Sequence, residues 1–327
     1  MKHKPLWQGV CTTLGMLVLI LDGKTALRGA QAGIELCLKT VVPSLFPFFL
    51  LSILLTDSLT GISFPLLRPL TRVCGVPDGT ESLLLSGFLG GYPVGAQCVC
   101  AAYRSGHLSA RDAERMLAFC NNAGPAFLFG MISSVFPGQA YIWALWVIHI
   151  LSALLTAWSL PGKPAKIRTL SPKKSITISL ALQASIRVMA TVCGWVILFR
   201  VIIAFLRRWF LWLLPVEMQV LVTGLLELSN GCCELHTVTG INLRFLICSV
   251  FLAFGGVCVT MQTVSVTSGL SLRYYFSGKV MQALFSLILS MGILYNAWPI
   301  CLSVLTGSAW LFRKMQKKSS IPEAVGV

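Results

Sequence analysis

The fold is decided by residues 86–130, which read SGFLGGYPVGAQCVCAAYRSGHLSARDAERMLAFCNNAGPAFLFG. Two apolar segments lie in this stretch, and each is interrupted, the first by GGYPVG at 90–95 and the second by NNAGP at 121–125. A helix that breaks inside a membrane frees main-chain polar groups, which persist only where protein or a water-filled cavity satisfies them. Breaks at corresponding positions in two halves of a chain point to a transport site. The stretch therefore predicts broken membrane segments around a polar site.

The composition of the whole chain is typical of a polytopic membrane protein. Apolar residues make up 56% and charged residues 11% of the 327 residues, and the mean hydropathy is +0.80. The apolar segments run over the full length, so we expect one transmembrane domain, 1–327, and no separate soluble domain. The net charge of +15 is explained by Lys and Arg in cytoplasmic loops, so we expect membrane lipid and no nucleic acid as a partner.

The second half of the chain repeats the pattern of the first. A basic linker at 161–176 separates a first repeat at 28–160 from a second repeat at 177–312. Each repeat is expected to hold one re-entrant hairpin and one broken helix, because half of an interrupted segment is shorter than the ~20 residues that cross a bilayer. For the first hairpin, a single kinked helix is the alternative. The predicted fold class is therefore all-α, a polytopic transmembrane helical bundle with two inverted repeats.

The distribution of Lys and Arg predicts the orientation of these repeats. With the N-terminus in the cytoplasm and each hairpin returning to its own side, seventeen of these residues fall on the cytoplasmic side and six outside. This bias favours cytoplasmic N- and C-termini in a multi-pass protein of the cell membrane. The first hairpin then enters from the cytoplasm and the second from outside, which inverts the repeats. An apolar run at 6–21 is either a retained first crossing or a signal peptide.

The candidate site consists of the residues at and near the breaks. The structural breaks are marked by Gly91, Pro93, Gly95, Gly124, Pro125, Gly231, Gly255 and Gly256. The polar residues beside them are the candidate substrate-binding residues: Tyr92, Gln97, Asn121, Asn122, Glu227, Ser229, Asn230 and Gln262. Inverted hairpins bring their tips together near the middle of the membrane, so we expect these groups to face one another.

Three of these residues carry the sharpest expectations. Glu227 is the ionisable residue nearest a hairpin tip, and a buried carboxylate needs a cation partner or a proton. It is expected to bind Na⁺ or to carry a coupling proton, and the alternative is that it caps the adjacent half-helix or lines a wet vestibule. For the neighbouring amides Asn121 and Asn122, the alternatives are capping alone and capping together with solute contact.

The sequence contains no arrangement that indicates an enzyme or a metal centre. It has no Ser-His pair, HExxH motif or paired carboxylates at a membrane surface. No His lies at ligand spacing to the cysteines, which occur in apolar segments as small hydrophobic residues. We therefore expect no catalysis, no metal and no cofactor, apart from a coupling ion, Na⁺ or H⁺.

Three motifs resemble those of the nucleoside-recognition, or Gate-domain, family of membrane proteins: GYPVGA at 91–96, FCNNAGP at 119–125 and ELSNG at 227–231. The resemblance covers nearly the whole chain. It implies a distant relation to concentrative nucleoside transporters, which use two opposed hairpins and two broken helices. It also implies a transporter of endospore-forming bacteria that is needed for spore formation, and it specifies no substrate.

Together these observations favour a secondary transporter or exporter of a small polar solute. The resemblance implies that the protein acts in bacterial sporulation, and a nucleoside-like solute is one candidate among the small polar solutes that it leaves open. The alternative is a non-transporting membrane scaffold required for spore assembly, and either function allows a homo-oligomer or a sporulation partner protein. A scaffold does not need polar hairpin tips, and this difference separates the two hypotheses.

Overall fold

A computed structural model describes residues 4–59, 62, 64–161 and 176–319, and within these ranges every regular element is a helix. The α-helices are α1 (Lys4–Leu21), α2 (Gly23–Leu36), α3 (Val42–Leu59), α4 (Arg68–Cys74), α5 (Glu81–Leu89), α6 (Val94–Arg104), α7 (Ala110–Leu117), α8 (Gln139–Ser159), α9 (Ile178–Trp209), α10 (Val216–Leu226), α11 (Leu228–Glu234), α12 (Ile241–Phe254), α13 (Gly256–Val266), α14 (Arg273–Tyr295) and α15 (Trp298–Ser319). The basic linker predicted at 161–176 lies almost entirely outside the described residues.

Five helical segments in the described part of the chain are long and apolar enough to cross a membrane: Gly23–Leu59, Gln139–Ser159, Ile178–Trp209, Ile241–Val266 and Arg273–Tyr295. Large apolar side chains also face outward, as with Leu21, 83% exposed, and Ile178 and Ile300, each 70% exposed. Lipid is the solvent in which such a surface is stable, whereas water would drive it to aggregate. The prediction of an all-helical membrane protein is confirmed.

The longest segments pair through small residues. A π-helical turn, Cys37–Val41, joins α2 to α3, so Gly23–Leu59 forms one continuous helical segment. A Cβ atom on Gly29 would lie 2.9 Å from Cα of Val201, and one on Gly33 would lie 2.9 Å from Cα of Ile197. The two glycines, four residues apart, therefore let α2 and α9 approach closely in antiparallel directions.

The segment around GGYPVG folds back on itself. Helix α5 ends at Leu89 and α6 begins at Val94. The hydroxyl of Thr56 in α3 bonds to the hydroxyl of Ser86, and it also lies 3.4 Å from Sγ of Cys98. In one continuous helix Ser86 and Cys98 would be about 18 Å apart, too far to share this partner. The chain therefore reverses at the predicted break, and α5 and α6 pack side by side.

A second segment, which contains α10 and α11, folds back on itself more tightly. Helix α10 ends at Leu226 and α11 begins at Leu228, and a Cβ atom on Gly231 would lie 2.7 Å from the main-chain nitrogen of Gly224. These glycines would be about 10 Å apart along an uninterrupted helix. The ring of Phe251 in α12 covers the same point, 3.0 Å from that Cβ position. Only residues without a side chain allow this reversal.

The predicted breaks in the other two segments are also present. Helix α7 ends at Leu117 and the chain resumes as a π-helical turn at Ala126–Met131. Gly255, with φ +81°, separates α12 from α13, a left-handed conformation that favours glycine. Both halves thus have the same order of elements: a pair of helices that folds back, an interrupted segment and a long helix. In the first half these are α5–α6, α7 with Ala126–Met131, and α8. In the second half they are α10–α11, α12–α13 and α14.

Candidate functional site

Within each half, the break of the fold-back pair lies against the break of the interrupted segment. A Cβ atom on Gly124 would lie 2.9 Å from the main-chain nitrogen of Gly91. In the second half, one on Gly256 would lie 3.1 Å from the carbonyl oxygen of Gly224 and 3.2 Å from that of Leu225. The glycines therefore let the main chains of two interrupted segments pack directly against each other, because a side chain at either position would collide with the facing main chain.

Tyr92 joins the two halves. Its hydroxyl donates a hydrogen bond to the carbonyl oxygen of Leu252 at 3.1 Å, near the end of α12. Its ring also lies 3.1 Å from where a Cβ atom on Gly255 would be. A tyrosine from the first break therefore fills the space that the second glycine break leaves open.

A small cavity of about 40 Å³ lies where the breaks meet. The polar part of its lining comes from both halves: Gly91, Tyr92 and Gly124 from the first, and Glu227, Ser229 and Gln262 from the second. The rest of the wall is mainly apolar, including Val41, Leu45, Phe127, Val192, Val196 and Val259. A water needs roughly 10–15 Å³ of such space, so the cavity has room for an ion or a few waters.

Glu227 caps α11 from inside this site. The side chain is 2% exposed. Its Oε1 accepts from the main-chain N–H of Ser229 at 3.1 Å and its Oε2 accepts from that of Asn230 at 2.7 Å. Arg200 of α9 bonds to the side-chain oxygen of Asn230 and lies 3.8 Å from Glu234. The capping role predicted for Glu227 is thus present, and the same carboxylate lines the cavity.

The two adjacent amides are engaged inside the protein. Asn121 Oδ1 accepts from the main-chain N–H of Ala96 in the first turn of α6 at 3.3 Å, and its Nδ2 donates to Thr263 Oγ1 in α13 at 2.9 Å. Asn122 Nδ2 donates to the carbonyl oxygen of Phe119 at 2.6 Å. Both residues are fully buried beside the cavity rather than lining it. Capping is therefore evident, and contact with a solute stays a prediction.

The remaining predicted site residues fall into two groups, those that line the central cavity and those that lie away from it. Tyr92, Ser229 and Gln262 line the central cavity together with Glu227, whereas Asn230 is held by Arg200 outside it. Gln97 lies in a separate cavity of about 190 Å³ that Asp57 and Arg104 also line. The structure thus brings four of the eight candidates to one cavity, with Asn121 and Asn122 packed behind them.

Sequence reasoning missed Lys279, a buried lysine of α14 that is 2% exposed. Its ammonium, with three N–H donors, lies within hydrogen-bond distance of four oxygens: the carbonyl of Asn121 at 2.5 Å, Gln282 Oε1 at 2.7 Å, Tyr92 Oη at 3.2 Å and Asn122 Oδ1 at 3.4 Å. It forms no ion pair with any carboxylate in the part of the chain that the structure describes. A lysine buried inside an apolar helix without a counter-ion is a candidate functional residue.

The chain is similar in sequence to a bacterial integral membrane protein. It is 25% identical over 334 residues to the sporulation integral membrane protein YlbJ of Bacillus subtilis (strain 168), covering 86% of this chain and 81% of that protein. No protein-family model matches the chain, and no solved structure matches it, so membership of the Gate-domain family stays a prediction. The similarity runs over most of both chains and agrees with the helical, apolar fold. The comparison supports a YlbJ-like family of integral membrane proteins for this chain.

Proposed function

We propose that this protein is a secondary transporter or exporter of a small polar solute, and that the cavity between the breaks is its transport site. The observation that carries the proposal is the shared lining of this cavity. Each half contributes polar groups from its own interrupted segments, with Tyr92 from one half and Glu227 from the other. Polar groups placed at helix breaks near the interface of two repeats are typical of secondary transporters.

We further propose that the two fold-back pairs are re-entrant hairpins. Helix α5 has nine residues and α6 has eleven, as has α10. At 1.5 Å per residue none of these helices exceeds about 17 Å, roughly half the thickness of the hydrocarbon core. The chain reverses between Ser86 and Cys98 and again between Gly224 and Gly231. These reversals support entry and exit on the same side of the membrane.

The inversion of the repeats rests on the charge distribution together with the matching order of elements. Seventeen Lys and Arg residues against six favour cytoplasmic termini. In that topology α5–α6 enters from the cytoplasm and α10–α11 from the other face. Opposed hairpins would then meet at the cavity, and each would gate one side of the membrane.

We propose that the cavity changes size during transport. At about 40 Å³ it is far below the few hundred Å³ that small-molecule pockets usually have. A solute of nucleoside size, one candidate, would need a hairpin to move away from its facing break. The relative YlbJ is named for sporulation, and we propose that this chain acts in the same process.

One observation favours a second function, a membrane scaffold in spore assembly. The amides of Asn121 and Asn122, and both oxygens of Glu227, already have internal hydrogen-bond partners. Polar groups that only hold broken helices together need no solute. A scaffold of this kind would act through a partner protein and would move nothing across the membrane.

Solute flux tests the choice between these functions. Purified protein in liposomes loaded with a mixture of nucleosides, amino acids and sugars is expected to deplete one class of solute with time. Protein-free liposomes supply the leak rate. The opposite result is that every class of solute leaves these liposomes no faster than it leaks from protein-free ones. That result, with a pH or a Na⁺ gradient imposed in either direction, would favour the scaffold.

A further inference from the structure

Four oxygen atoms surround the ammonium of Lys279. They are the main-chain carbonyl of Asn121, the amide oxygens of Asn122 and Gln282, and the hydroxyl of Tyr92, at 2.5–3.4 Å. Carbonyl, amide and hydroxyl oxygens are the ligands that hard cations take in proteins. At a broken transporter helix, carbonyls freed by the break are the groups that coordinate a coupling Na⁺.

We propose that Lys279 is a tethered cation that occupies this oxygen cage in place of Na⁺, so that the coupling ion of the protein is a proton. The part of this inference that concerns the coupling ion rests on the proposed transport function, because only a transporter has a coupling ion. The cage and its occupant are features of the described residues and do not depend on it.

The cage has the connections that a switch requires. Tyr92 belongs to the break between α5 and α6, Asn121 and Asn122 follow α7, and Lys279 and Gln282 belong to α14. Through the bond from Tyr92 to the carbonyl of Leu252, the cage also reaches α12. One ammonium therefore holds the first hairpin tip against the first interrupted segment and links both to the second half.

Loss of the proton would weaken this connection. A protonated lysine has three N–H donors and no acceptor, which suits a site made of oxygen atoms. A neutral amine keeps two donors and presents a lone pair to the remaining oxygens. The hairpin tip would then lose a charge-assisted hydrogen bond, the strong class of such bonds. Protonation closes the first hairpin on its break, and deprotonation releases it.

Other titratable groups face Lys279, so a test must separate the effect of its protonation from theirs. Tyr92 lies under the ammonium, whose nitrogen is 5.1 Å from the ring centroid. Cys120, after α7, and His149 of α8 also lie close enough to Lys279 for their charges to interact. The other helices on α14 make contact further along, through the uncharged Ser249 of α12 and Trp298 of α15. A variant of Lys279 itself is therefore needed to assign any pH dependence.

Hydrogen–deuterium exchange in lipid nanodiscs tests the proposal without any solute. Exchange is followed in peptides covering 86–96 and 119–126, over a range of pH, in NaCl and in choline chloride, after correction for intrinsic rates. In the wild type we expect exchange at both breaks to rise with pH by roughly tenfold, as loss of one charge-assisted hydrogen bond implies. The two salts are expected to give the same profile.

Three variants identify which group is responsible for the pH dependence. Lys279→Met is expected to exchange fast at the breaks at every pH, and Lys279→Arg, which stays charged, to exchange slowly throughout. Lys24→Met, at an exposed lysine of α2, should keep the wild-type profile. Slower exchange of the wild type in Na⁺ than in choline would overturn the proposal, even if no variant folds. A wild-type pH profile in Lys279→Met would overturn it as well. Neither result bears on whether solute moves, so a failure here is distinct from a failure of the flux experiment.

Discussion

Gly231→Ala is expected to lower the free energy of unfolding by about 1–3 kcal/mol, the usual cost of overpacking a well-packed core. The new methyl group would lie 2.7 Å from the main-chain nitrogen of Gly224 and 3.0 Å from the ring of Phe251. The nitrogen cannot move without separating α10 from α11. The measurement is denaturant-induced unfolding of the purified variant in detergent micelles, followed by circular dichroism.

Gly194→Ala in α9 is the matched control, because a Cβ atom there would have no neighbour within 4 Å. Its effect is expected to be neutral or slightly stabilising, since alanine is favoured over glycine inside a helix by up to about 1 kcal/mol. Equal stability of the two variants would show that α10 and α11 are not packed as described.

Glu227→Gln is expected to reduce solute flux at least roughly tenfold, the loss that removing one charge-assisted interaction implies. The substitution keeps the shape of the side chain and removes its charge from the cavity. Since an amide nitrogen cannot accept, one of the two cap bonds to Ser229 and Asn230 is lost, at a cost of about 1 kcal/mol. That loss should leave the protein folded. The measurement is flux in liposomes, normalised to the amount of inserted protein.

Glu217→Gln supplies the control for that experiment. Glu217 lies in the first turn of α10 and its Oε1 accepts from the hydroxyl of Thr239 at an exposed position. The same chemical change is made two and a half turns before the cavity, and flux should stay at the wild-type rate. Wild-type flux in Glu227→Gln at equal abundance would leave Glu227 with a capping role alone, as the scaffold hypothesis requires.

The breaks could be predicted because they depend on local chemistry. Gly255 adopts a positive φ, and NNAGP and GGYPVG combine residues that interrupt helices in any context. The N-cap of α7 is likewise local, because the hydroxyl of Ser109 accepts from the main-chain N–H of Asp112, three residues further on, at 3.1 Å. Such signals lie within a few residues of one another, so a single sequence carries them.

The partners of the site residues could not be predicted, because they depend on packing between distant segments. Gln97 lies one turn beyond Tyr92 on the same segment, yet α6 turns it toward Asp57 and Arg104 and away from Glu227. In the sequence, Lys279 is a single charge inside an apolar helix, and charge alone does not reveal its partners. Its spacing of three from Gln282 places both on one helix face, and that was the signal that could have identified it.

The proposed transport site depends most directly on two hairpins that enter the membrane from opposite faces, and cysteine labelling tests this without knowledge of the solute. The background carries Cys11→Ser, Cys193→Ser and Cys233→Ser, because every other cysteine is buried. Single cysteines are then placed at four exposed flanking positions, Asp78, Ser105, Pro215 and His236.

The probe is a membrane-impermeant maleimide, applied to intact cells and to cells permeabilised with detergent. We predict that Asp78→Cys and Ser105→Cys react only after permeabilisation, and that Pro215→Cys and His236→Cys react in intact cells. Labelling of the first two from opposite faces would contradict the account, because α5 and α6 would then form one kinked crossing helix. Labelling of all four from one face would leave the hairpins re-entrant but remove their inversion, and with it the alternating transport site.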